Sequence, residues 1–171
     1  MTVHPFEPVY DSDSRILILG SFPSVKSREM LFFYGHPQNR FWKVMAAVCE
    51  DEAFARLLED GASIEDKKAF LLRNRVALWD VIASCEITGS SDASIKNAAP
   101  NDINRILKAA PIRAVFCNGN KAAELYDRFL MPVTGRKAVR LPSTSPANAA
   151  WTLPRLVEEW KRLIHTANQS L

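Results

Sequence analysis

Apolar runs alternate with amphipathic segments along the chain. Four short runs rich in Leu, Ile and Val lack the apolar–polar alternation of a half-exposed strand, which is typical of strands buried on both faces. These predicted strands are residues 15–20, 76–82, 112–117 and 137–141. Because helical segments separate them, the pattern predicts an α/β fold in which helices cover both faces of a parallel sheet.

The segments between the predicted strands carry apolar residues at intervals of three and four. Asn39 is a candidate N-cap for the helix over residues 39–50, and the Ser63-Ile-Glu-Asp66 sequence resembles a capping box. Further helices are predicted over residues 51–59, after the turn at 118–120, from 100 to Pro111, and over 151–166. Residues 85–99 are polar, contain Gly89, and are predicted to form a loop.

Composition places the chain among ordinary globular proteins. It has 171 residues, of which 47% are hydrophobic, and a net charge of +3, so we predict a single domain over residues 1–171 with a sizeable core. The three cysteines lie far apart without a CxxC pair, which excludes a zinc ribbon and indicates reduced thiols in the cytoplasm. Cys85 and Cys117 adjoin apolar runs and are predicted to be buried. We expect no metal, no membrane span and no signal peptide at residues 1–13.

The unusual residues follow the predicted strands. In open α/β sheets, ligands bind outside the carboxyl ends of the strands, and the four loops there begin near Gly20, Asp80, Asn118 and Pro142. The first loop leads to three successive aromatic residues, 32–34, beside a Gly-His-Pro sequence. Aromatic faces in such a loop favour stacking on a flat ring rather than core packing.

The other loops each leave two interpretations open. The hydroxyls of residues 143–145 precede a helix and suit phosphate oxygens, although one of them would suffice for N-capping. Asp80 is equally well interpreted as a structural anchor or a ligand contact, and Asn118 is more often a turn residue. His4 and His165 are predicted to be surface residues near the termini. Four basic residues give the first loop local positive charge: Lys26, Arg28, Arg40 and Lys43.

Together these loops resemble one known family. The sequences that carry the resemblance are Gly20-Ser-Phe-Pro-Ser24, Tyr34-Gly-His-Pro-Gln-Asn-Arg-Phe-Trp42, Cys117-Asn-Gly119 and Leu141-Pro-Ser-Thr-Ser-Pro-Ala-Asn148. They resemble the uracil-DNA glycosylase superfamily, and most closely its hypoxanthine-DNA glycosylase branch, family 6. The resemblance implies a three-layer α/β/α sandwich with a four-stranded parallel sheet. It also implies a monofunctional DNA repair enzyme that flips a deaminated base, hypoxanthine or uracil, and hydrolyses its N-glycosidic bond, leaving an abasic site without any cofactor.

The resemblance also implies roles for individual residues. Asn39 corresponds to a catalytic position near the sugar and the attacking water. The implied base-binding residues are Tyr34, which would stack on the flipped base, together with Asp80, Asn118 and Phe22. The implied phosphate-binding residues are Ser143, Thr144, Ser145 and Ser24. The expected partner is DNA that contains deaminated bases, and the protein is expected to be a monomer.

Three positions depart from the family pattern. Phe22 stands where many branches carry a water-activating Asp or Asn, Leu141 stands near the position of a base-donating His, and Ala147 replaces a bulky residue. Asn39 is therefore the nearest candidate for catalysis, with its side-chain carbonyl orienting water. Two further hypotheses are a catalytically weak or inactive DNA-binding module of the same fold, and an enzyme acting on free nucleosides. The hydroxyl run and the basic first loop favour DNA over free nucleosides.

Overall fold

Two sheets form the frame of the protein in a computed structural model that describes residues 1–168; the last three residues of the predicted domain, 169–171, lie outside the described range. The strands are Thr2–Val3 (β1), Ile16–Gly20 (β2), Val76–Asp80 (β3), Ile82–Glu86 (β4), Lys96–Pro100 (β5), Ala114–Asn118 (β6) and Ala138–Leu141 (β7). The larger sheet is parallel and has the order β3–β2–β6–β7, whereas the smaller is antiparallel with the order β1–β4–β5.

Helices connect the strands of the parallel sheet. They are Val25–Met30 (α1), Phe41–Val48 (α2), Glu52–Asp60 (α3), Ile64–Arg73 (α4), Asn104–Ala109 (α5), Asn120–Phe129 (α6), Met131–Thr134 (α7), Leu153–Trp160 (α8) and Arg162–Asn168 (α9). Helix α4 packs on β3, α6 packs on β6 and β7, and α9 packs on β2 and β6. Helix α2 contacts α3 and α8.

The strand order determines where a ligand can bind. The chain passes from β2 to β3 on one side and then continues to β6 and β7 on the other. Right-handed crossovers in opposite directions place the connecting helices on opposite faces of the sheet. The order therefore reverses between β2 and β6, and the crevice of a doubly wound sheet opens outside the carboxyl ends of the strands at this point.

The main elements confirm the sequence predictions. Each predicted strand of the parallel sheet is present within two residues of its predicted bounds, and every residue of β2 and β3 is buried. Ser63 and Asp66 form the predicted capping box. Cys85 and Cys117 are buried, as predicted. Within residues 1–168, no helix is long and apolar enough to cross a membrane.

Three predictions were wrong wholly or in part. Residues 85–99 were predicted to be a loop, and residues 87–95 do form one, with a 3₁₀ turn at Asp92–Ser94, but the two ends of the segment belong to β4 and β5. These strands are short, and β5 is a largely exposed edge, so they carry no apolar run for a sequence pattern to detect. The predicted closing helix is divided into α8 and α9 at Lys161. Phe32 and Phe33 were expected to stack on a ligand, but both belong to the core, with exposed fractions of 4% and 2%.

The N-terminal segment runs beside the end of β3. Strand β1 pairs with β4, and Val9 forms an antiparallel bridge with Leu78 in β3. The backbone N–H of His4 donates to the carbonyl of Ala83 at 2.8 Å. These bonds bring His4 to Asp80 at the carboxyl end of β3, where the crevice opens, while Val9 lies beside the middle of the strand.

The Asp51 carboxylate connects the start of α3 to the end of α4, and its charge makes this contribution to stability dependent on pH. Its carboxylate caps α3 by accepting from Phe54 N and also accepts from Arg73 and Asn74 at the end of α4. Burial opposes ionisation of this group, but the bonds from Phe54, Arg73 and Asn74 outweigh it and lower the pKa of Asp51. A lowered pKa contributes stability above the unfolded-state value, about 3.9, which is lost as the pH falls through the folded-state pKa.

Asp51→Ala should therefore lower the free energy of unfolding at pH 7 by about 1–2 kcal/mol, the usual cost of a lost N-cap. The deficit should shrink as the pH falls below about 4, because the wild-type carboxyl also loses its charge there. Urea unfolding at several pH values measures it. Thr152→Ala, which removes the uncharged cap of α8, is the control and should cost the same at every pH. A pH-independent deficit for Asp51→Ala would contradict the charged-cap assignment.

Candidate active site

A cleft of about 340 Å³ opens at the carboxyl ends of β2, β3 and β6. Its walls include all nine predicted site residues: Phe22, Ser24, Tyr34, Asn39, Asp80, Asn118, Ser143, Thr144 and Ser145. The volume lies at the lower end of the range for small-molecule pockets. The predicted site residues therefore lie together in one cleft, and their geometry shows what each can do.

Tyr34 forms an aromatic wall of the cleft. Its ring stacks on Phe41 with centroids 4.1 Å apart and an interplanar angle of 24°. Phe41 is fully buried, whereas Tyr34 is partly exposed and lines the cleft, so the second face of the Tyr34 ring is available to a ligand. The backbone of Tyr34 is left-handed, with φ of +52°, which is uncommon for a non-glycine residue and turns the side chain into the site.

The Tyr34 hydroxyl lies at the inner end of the cleft. It is buried and makes no hydrogen bond of ordinary geometry with residues 1–168. Burial raises the pKa of the phenol, and the negative charge of Asp80 raises it further, whereas the Asn118 amide acts in the opposite direction. The hydroxyl is therefore a neutral donor at physiological pH, and it is available to a polar atom of a ligand.

Gly20 permits the close approach of two polar groups at the end of β2. A Cβ atom at this position would lie 2.4 Å from Asp80 Oδ1 and 3.0 Å from the Tyr34 hydroxyl oxygen. The first distance is far below any real contact, so no other residue fits here without displacing the carboxylate. The carboxylate and the phenol consequently converge on the floor of the cleft.

His4 is the partner of Asp80, which corrects the prediction that His4 is a surface residue. The distance between His4 Nε2 and Asp80 Oδ2 is 2.7 Å, and the two side chains are only 4% and 5% exposed. A lone histidine near the chain terminus carries no motif. Its position follows from the pairing of β1 with β4, which the sequence pattern did not reveal.

Thr144 joins the two amides of the site. The Asn118 amide nitrogen donates to the Thr144 hydroxyl at 3.0 Å, and that hydroxyl donates to Asn39 Oδ1 at 2.9 Å. The backbone N–H of Thr144 donates to Asn118 Oδ1, and that of Phe41 donates to Asn39 Oδ1. These backbone donors determine the orientation of both amides, because each backbone N–H requires an acceptor and the amide oxygen must therefore face it.

This network corrects two predicted roles. Thr144 was predicted to contact phosphate, but its side chain is fully buried and its hydroxyl is occupied within the network, so it positions the amides instead. The Asn39 carbonyl was predicted to orient water, but its oxygen already accepts two hydrogen bonds. The group of Asn39 that remains for a ligand is the amide nitrogen, which is a donor.

The serines of the site differ in what they can offer. Ser143 Oγ accepts from Ser145 N, and Ser145 Oγ accepts from Ala147 N, so each hydroxyl can still donate its proton outward. Ser24, predicted to bind phosphate, caps α1 by accepting from Ser27 N, and its hydroxyl donates to Ser27 Oγ. Its hydrogen-bonding capacity is therefore directed into the protein, contrary to the predicted role.

Arg40 holds the loop that carries these serines. Its guanidinium donates to the carbonyls of Ser145, Asn148 and Trp151, and at 3.4 Å to that of Thr144. The prediction that Arg40 supplies local positive charge for a partner therefore does not fit its position, since its donors point at the protein's own backbone. Lys26 and Lys43 are exposed and remain free to meet an anionic partner.

Asp92 is a second carboxylate of the cleft that the sequence analysis missed. It lies in the turn between β4 and β5, and its Oδ1 accepts from the Ser21 hydroxyl at 2.7 Å. The same turn is tied to the first loop by Ser90, which accepts from Val25 N. Burial raises the pKa of Asp92, and although the Ser21 bond opposes this, the charge of Asp80 adds to it. The segment was predicted as a featureless loop, so nothing in its sequence indicated a contribution to the site.

Other chemistry is limited in the part of the chain that the structure describes. Within residues 1–168, no group of three or more His, Cys, Asp and Glu side chains could hold a metal ion. Burial raises the pKa of Cys117 to about 12, so this thiol stays protonated and is a poor nucleophile. His36, at the rim, is exposed.

Known proteins are similar to this chain in sequence and in fold. The Uracil DNA glycosylase superfamily matches residues 7–165. A hypoxanthine DNA glycosylase from Methanosarcina acetivorans is 36% identical over 157 residues, which cover 91% of this chain and 94% of that protein. One from Methanosarcina barkeri is 32% identical over 144 residues, covering 84% and 86%.

A solved structure is similar throughout its length. The solution NMR structure of a proposed uracil DNA glycosylase from Methanosarcina acetivorans has 31% sequence identity and a TM-score of 0.74, and the match covers 94% of this chain and 97% of that one. It is an α/β protein like this one, which confirms the predicted four-stranded parallel sheet between helices. The chain belongs to the uracil DNA glycosylase superfamily.

Proposed function

We propose that this protein is a monofunctional DNA glycosylase that removes a deaminated base, hypoxanthine or uracil, and leaves an abasic site. The observation that supports this most directly is the convergence of Tyr34 and Asp80 on a cleft of about 340 Å³ at the strand ends. The two relatives named hypoxanthine DNA glycosylases point to the same chemistry. Such an enzyme must take the base out of the helix, since the sugar carbon is inaccessible within the stack.

The flipped base would lie against Tyr34. Phe41 supports the opposite face of the tyrosine ring at 4.1 Å, which holds the ring in place before the base arrives. Phe22, 7% exposed, borders the same space. A preformed aromatic face contributes about 1–3 kcal/mol of stacking for each base, which offsets part of the few kcal/mol that flipping costs.

Asp80 would select the base by its hydrogen-bonding edge. As an ionised carboxylate it is an acceptor only. Hypoxanthine presents N1–H and uracil presents N3–H, so both can donate to it, whereas adenine and cytosine present a bare ring nitrogen. Placing such a ring nitrogen, which is an acceptor, against an oxygen of the carboxylate costs about 1–3 kcal/mol. This cost is equivalent to a roughly tenfold to hundredfold rejection of adenine and cytosine. Guanine also carries N1–H, so its exclusion must come from the shape around its amino group or from its stable pairing.

Asn39 would position the attacking water through its amide nitrogen. Breaking the bond between C1′ and the base sends the bonding electron pair to the base and leaves an oxocarbenium-like sugar, which reacts with water at C1′ and releases a proton. Because the sugar is so electrophilic, the water needs positioning more than deprotonation. The Asn39 donor can hold the water oxygen, while Thr144 and Phe41 N hold the amide plane. The unused proton of the Asn118 amide and the Tyr34 hydroxyl are the donors available to the departing base.

The DNA backbone would meet Ser143 and Ser145. Their hydroxyl protons can be donated to phosphate oxygens beside the flipped nucleotide, and Arg40 keeps their loop in place through its carbonyl contacts. Neutral hydroxyls position the strand without reading its sequence. The salt-dependent attraction would come from exposed cations such as Lys26 and Lys43.

A panel of oligonucleotides tests the proposed function. Single- and double-stranded substrates, each containing one hypoxanthine, uracil or undamaged base, are incubated with the protein and treated with hot alkali. Strand scission at the deaminated position alone is expected. Tight binding of the same strands without scission would instead support the DNA-binding module, and activity confined to free nucleosides would support the nucleoside enzyme.

Asn39 offers the sharpest variant. Asn39→Ala should lower the single-turnover rate by about 10²-fold or more, the usual effect of losing one positioned polar group. Asn39→Asp retains the oxygen that accepts from Phe41 and Thr144 but removes the donor, so it should lose activity to a similar degree. If Asn39→Asp keeps the wild-type rate, an acceptor or a negative charge acts at this position and the donor role is wrong.

Asp80→Asn tests base selection. The amide offers both a donor and an acceptor, so it should slow excision of hypoxanthine and uracil and relatively favour adenine and cytosine. The ratio of single-turnover rates for inosine- and adenine-containing strands should fall by about tenfold or more. An unchanged ratio with slower rates on both strands would make Asp80 a structural anchor.

If Ser143 and Ser145 contact phosphates, their removal should lower the affinity for DNA but leave its dependence on salt concentration unchanged. Replacing Ser143 and Ser145 together with Ala should weaken binding to damaged and undamaged duplexes about equally. The slope of log affinity against log salt should stay unchanged, because a hydroxyl releases no counterion. Lys26→Ala is the matched control, and it should reduce that slope by about one if Lys26 contacts a phosphate. A loss confined to damaged duplexes would place the serines at the base instead.

A further inference from the structure

The pair formed by His4 and Asp80 is not explained by stability alone. Both side chains are almost fully buried, and their polar atoms lie 2.7 Å apart at the floor of the cleft. Burying two ionisable groups beside each other contributes little net stability compared with apolar residues of similar size. His4 lies just outside residues 7–165, the range that the superfamily matches.

The N-terminal segment holds His4 in a defined position. Thr2 and Val3 pair with Cys85 and Ser84, and the His4 N–H bonds to the Ala83 carbonyl. Phe6 packs edge-on against the imidazole with centroids 4.5 Å apart. Phe22 and Phe33 surround the imidazole at 6.0 and 6.2 Å. The ring therefore has one orientation, with Nε2 directed at the carboxylate.

The surroundings of the imidazole select its tautomer. Nδ1 is approached by the backbone N–H of Phe6 at 3.5 Å, and only an unprotonated nitrogen can accept there. In the neutral imidazole the proton then resides on Nε2, which donates to Asp80 Oδ2. This bond occupies one of the two oxygens of the carboxylate.

The second carboxylate oxygen is left for a ligand. Asp80 Oδ1 lies against the bare Cα of Gly20, on the side where the Tyr34 hydroxyl also approaches. Among residues 1–168, the side-chain bond to this carboxylate comes from His4 and reaches Oδ2 rather than Oδ1. With Oδ2 held by the imidazole, the carboxylate cannot rotate to exchange its two oxygens.

We propose that His4 is the positioning residue of base selection: its Nε2–H holds the Asp80 carboxylate in the orientation in which Oδ1 alone meets the Watson–Crick edge of the flipped base. This rests on the proposed glycosylase function. Without His4, Oδ2 loses the donor that holds it, and the carboxylate can turn so that Oδ1 no longer faces the N–H of hypoxanthine or uracil. The preference for these bases over adenine and cytosine therefore depends on the histidine.

The test compares His4→Leu with His4→Gln. The Gln amide nitrogen can occupy the position of Nε2 and donate to Asp80, whereas Leu fills the space without a donor. His4→Leu should lower the ratio of single-turnover rates on inosine and adenine strands about tenfold or more, and His4→Gln should keep it within about threefold of wild type. An unchanged ratio in a folded His4→Leu protein, or equal ratios for Leu and Gln, would overturn the proposal.

If His4→Leu does not fold, the comparison of His4→Asn with His4→Gln tests the same point. His4→Asn is polar like His4→Gln, but its amide ends near Nδ1 and cannot reach Asp80. The Asn variant should therefore show the lowered ratio and the Gln variant should not. Equal ratios would leave His4 with a structural role only.

Nitrogen-15 NMR of the wild-type imidazole separates this proposal from the proposed function. For the neutral imidazole, the resonances should report a proton on Nε2 and none on Nδ1. A proton on Nδ1 alone would refute the geometry even if the enzyme excises hypoxanthine. The expected tautomer in a protein that excises no base would instead leave the His4–Asp80 geometry in place and count against the proposed function.

Discussion

The floor of the cleft depends on Gly20, which has no side chain. Residue 20 ends β2 at the point where the strand order reverses, and its lack of a Cβ lets Asp80 Oδ1 and the Tyr34 hydroxyl lie against the backbone. Any larger residue would push the carboxylate from its place. The Tyr34 ring and the Asp80 carboxylate both depend on this close approach, whereas His4 is brought to Asp80 by the pairing of β1 with β4.

The second part of the site is organised by backbone donors. The N–H groups of Phe41 and Thr144 orient the amides of Asn39 and Asn118, and the buried Thr144 hydroxyl connects them. Arg40 holds the loop of Thr144 by four carbonyls that are far from it in sequence. A site in which both amide orientations are determined before a ligand binds loses little freedom on binding, which is the basis of preorganised catalysis.

The sequence was most informative where local pattern and position agree. Strands buried on both faces leave continuous apolar runs, and β2, β3 and β6 were predicted from such runs, whereas β7 is only partly buried and contains the exposed Arg140. Parallel strands bring their carboxyl ends to one edge of the sheet. For that reason the pattern predicted that the loops beginning near Gly20, Asp80 and Asn118 lie together, whereas the family resemblance singled out Tyr34, Asp80 and Asn118 as site residues. The capping box at Ser63 was equally readable, because both partners lie within one turn.

What the sequence did not reveal depends on contacts between distant segments. His4 meets Asp80 across 76 positions, and Asp92 meets Ser21 across 71, through strands β1, β4 and β5 that have no apolar run. The role of Thr144 was predicted wrongly because the sequence Ser143-Thr-Ser145 does not show which of its three hydroxyls is buried. Arg40 was counted as a surface cation because nothing in its neighbourhood along the chain shows that four carbonyls surround it.

Detection of the released base tests the central claim most directly. The protein is incubated with a duplex that contains one inosine, and the mixture is analysed by mass spectrometry without alkali treatment. Free hypoxanthine is expected in an amount equal to the abasic strand formed, with that strand still unbroken. Binding of the duplex without release of hypoxanthine, or release accompanied by strand cleavage, would contradict a monofunctional hydrolytic glycosylase.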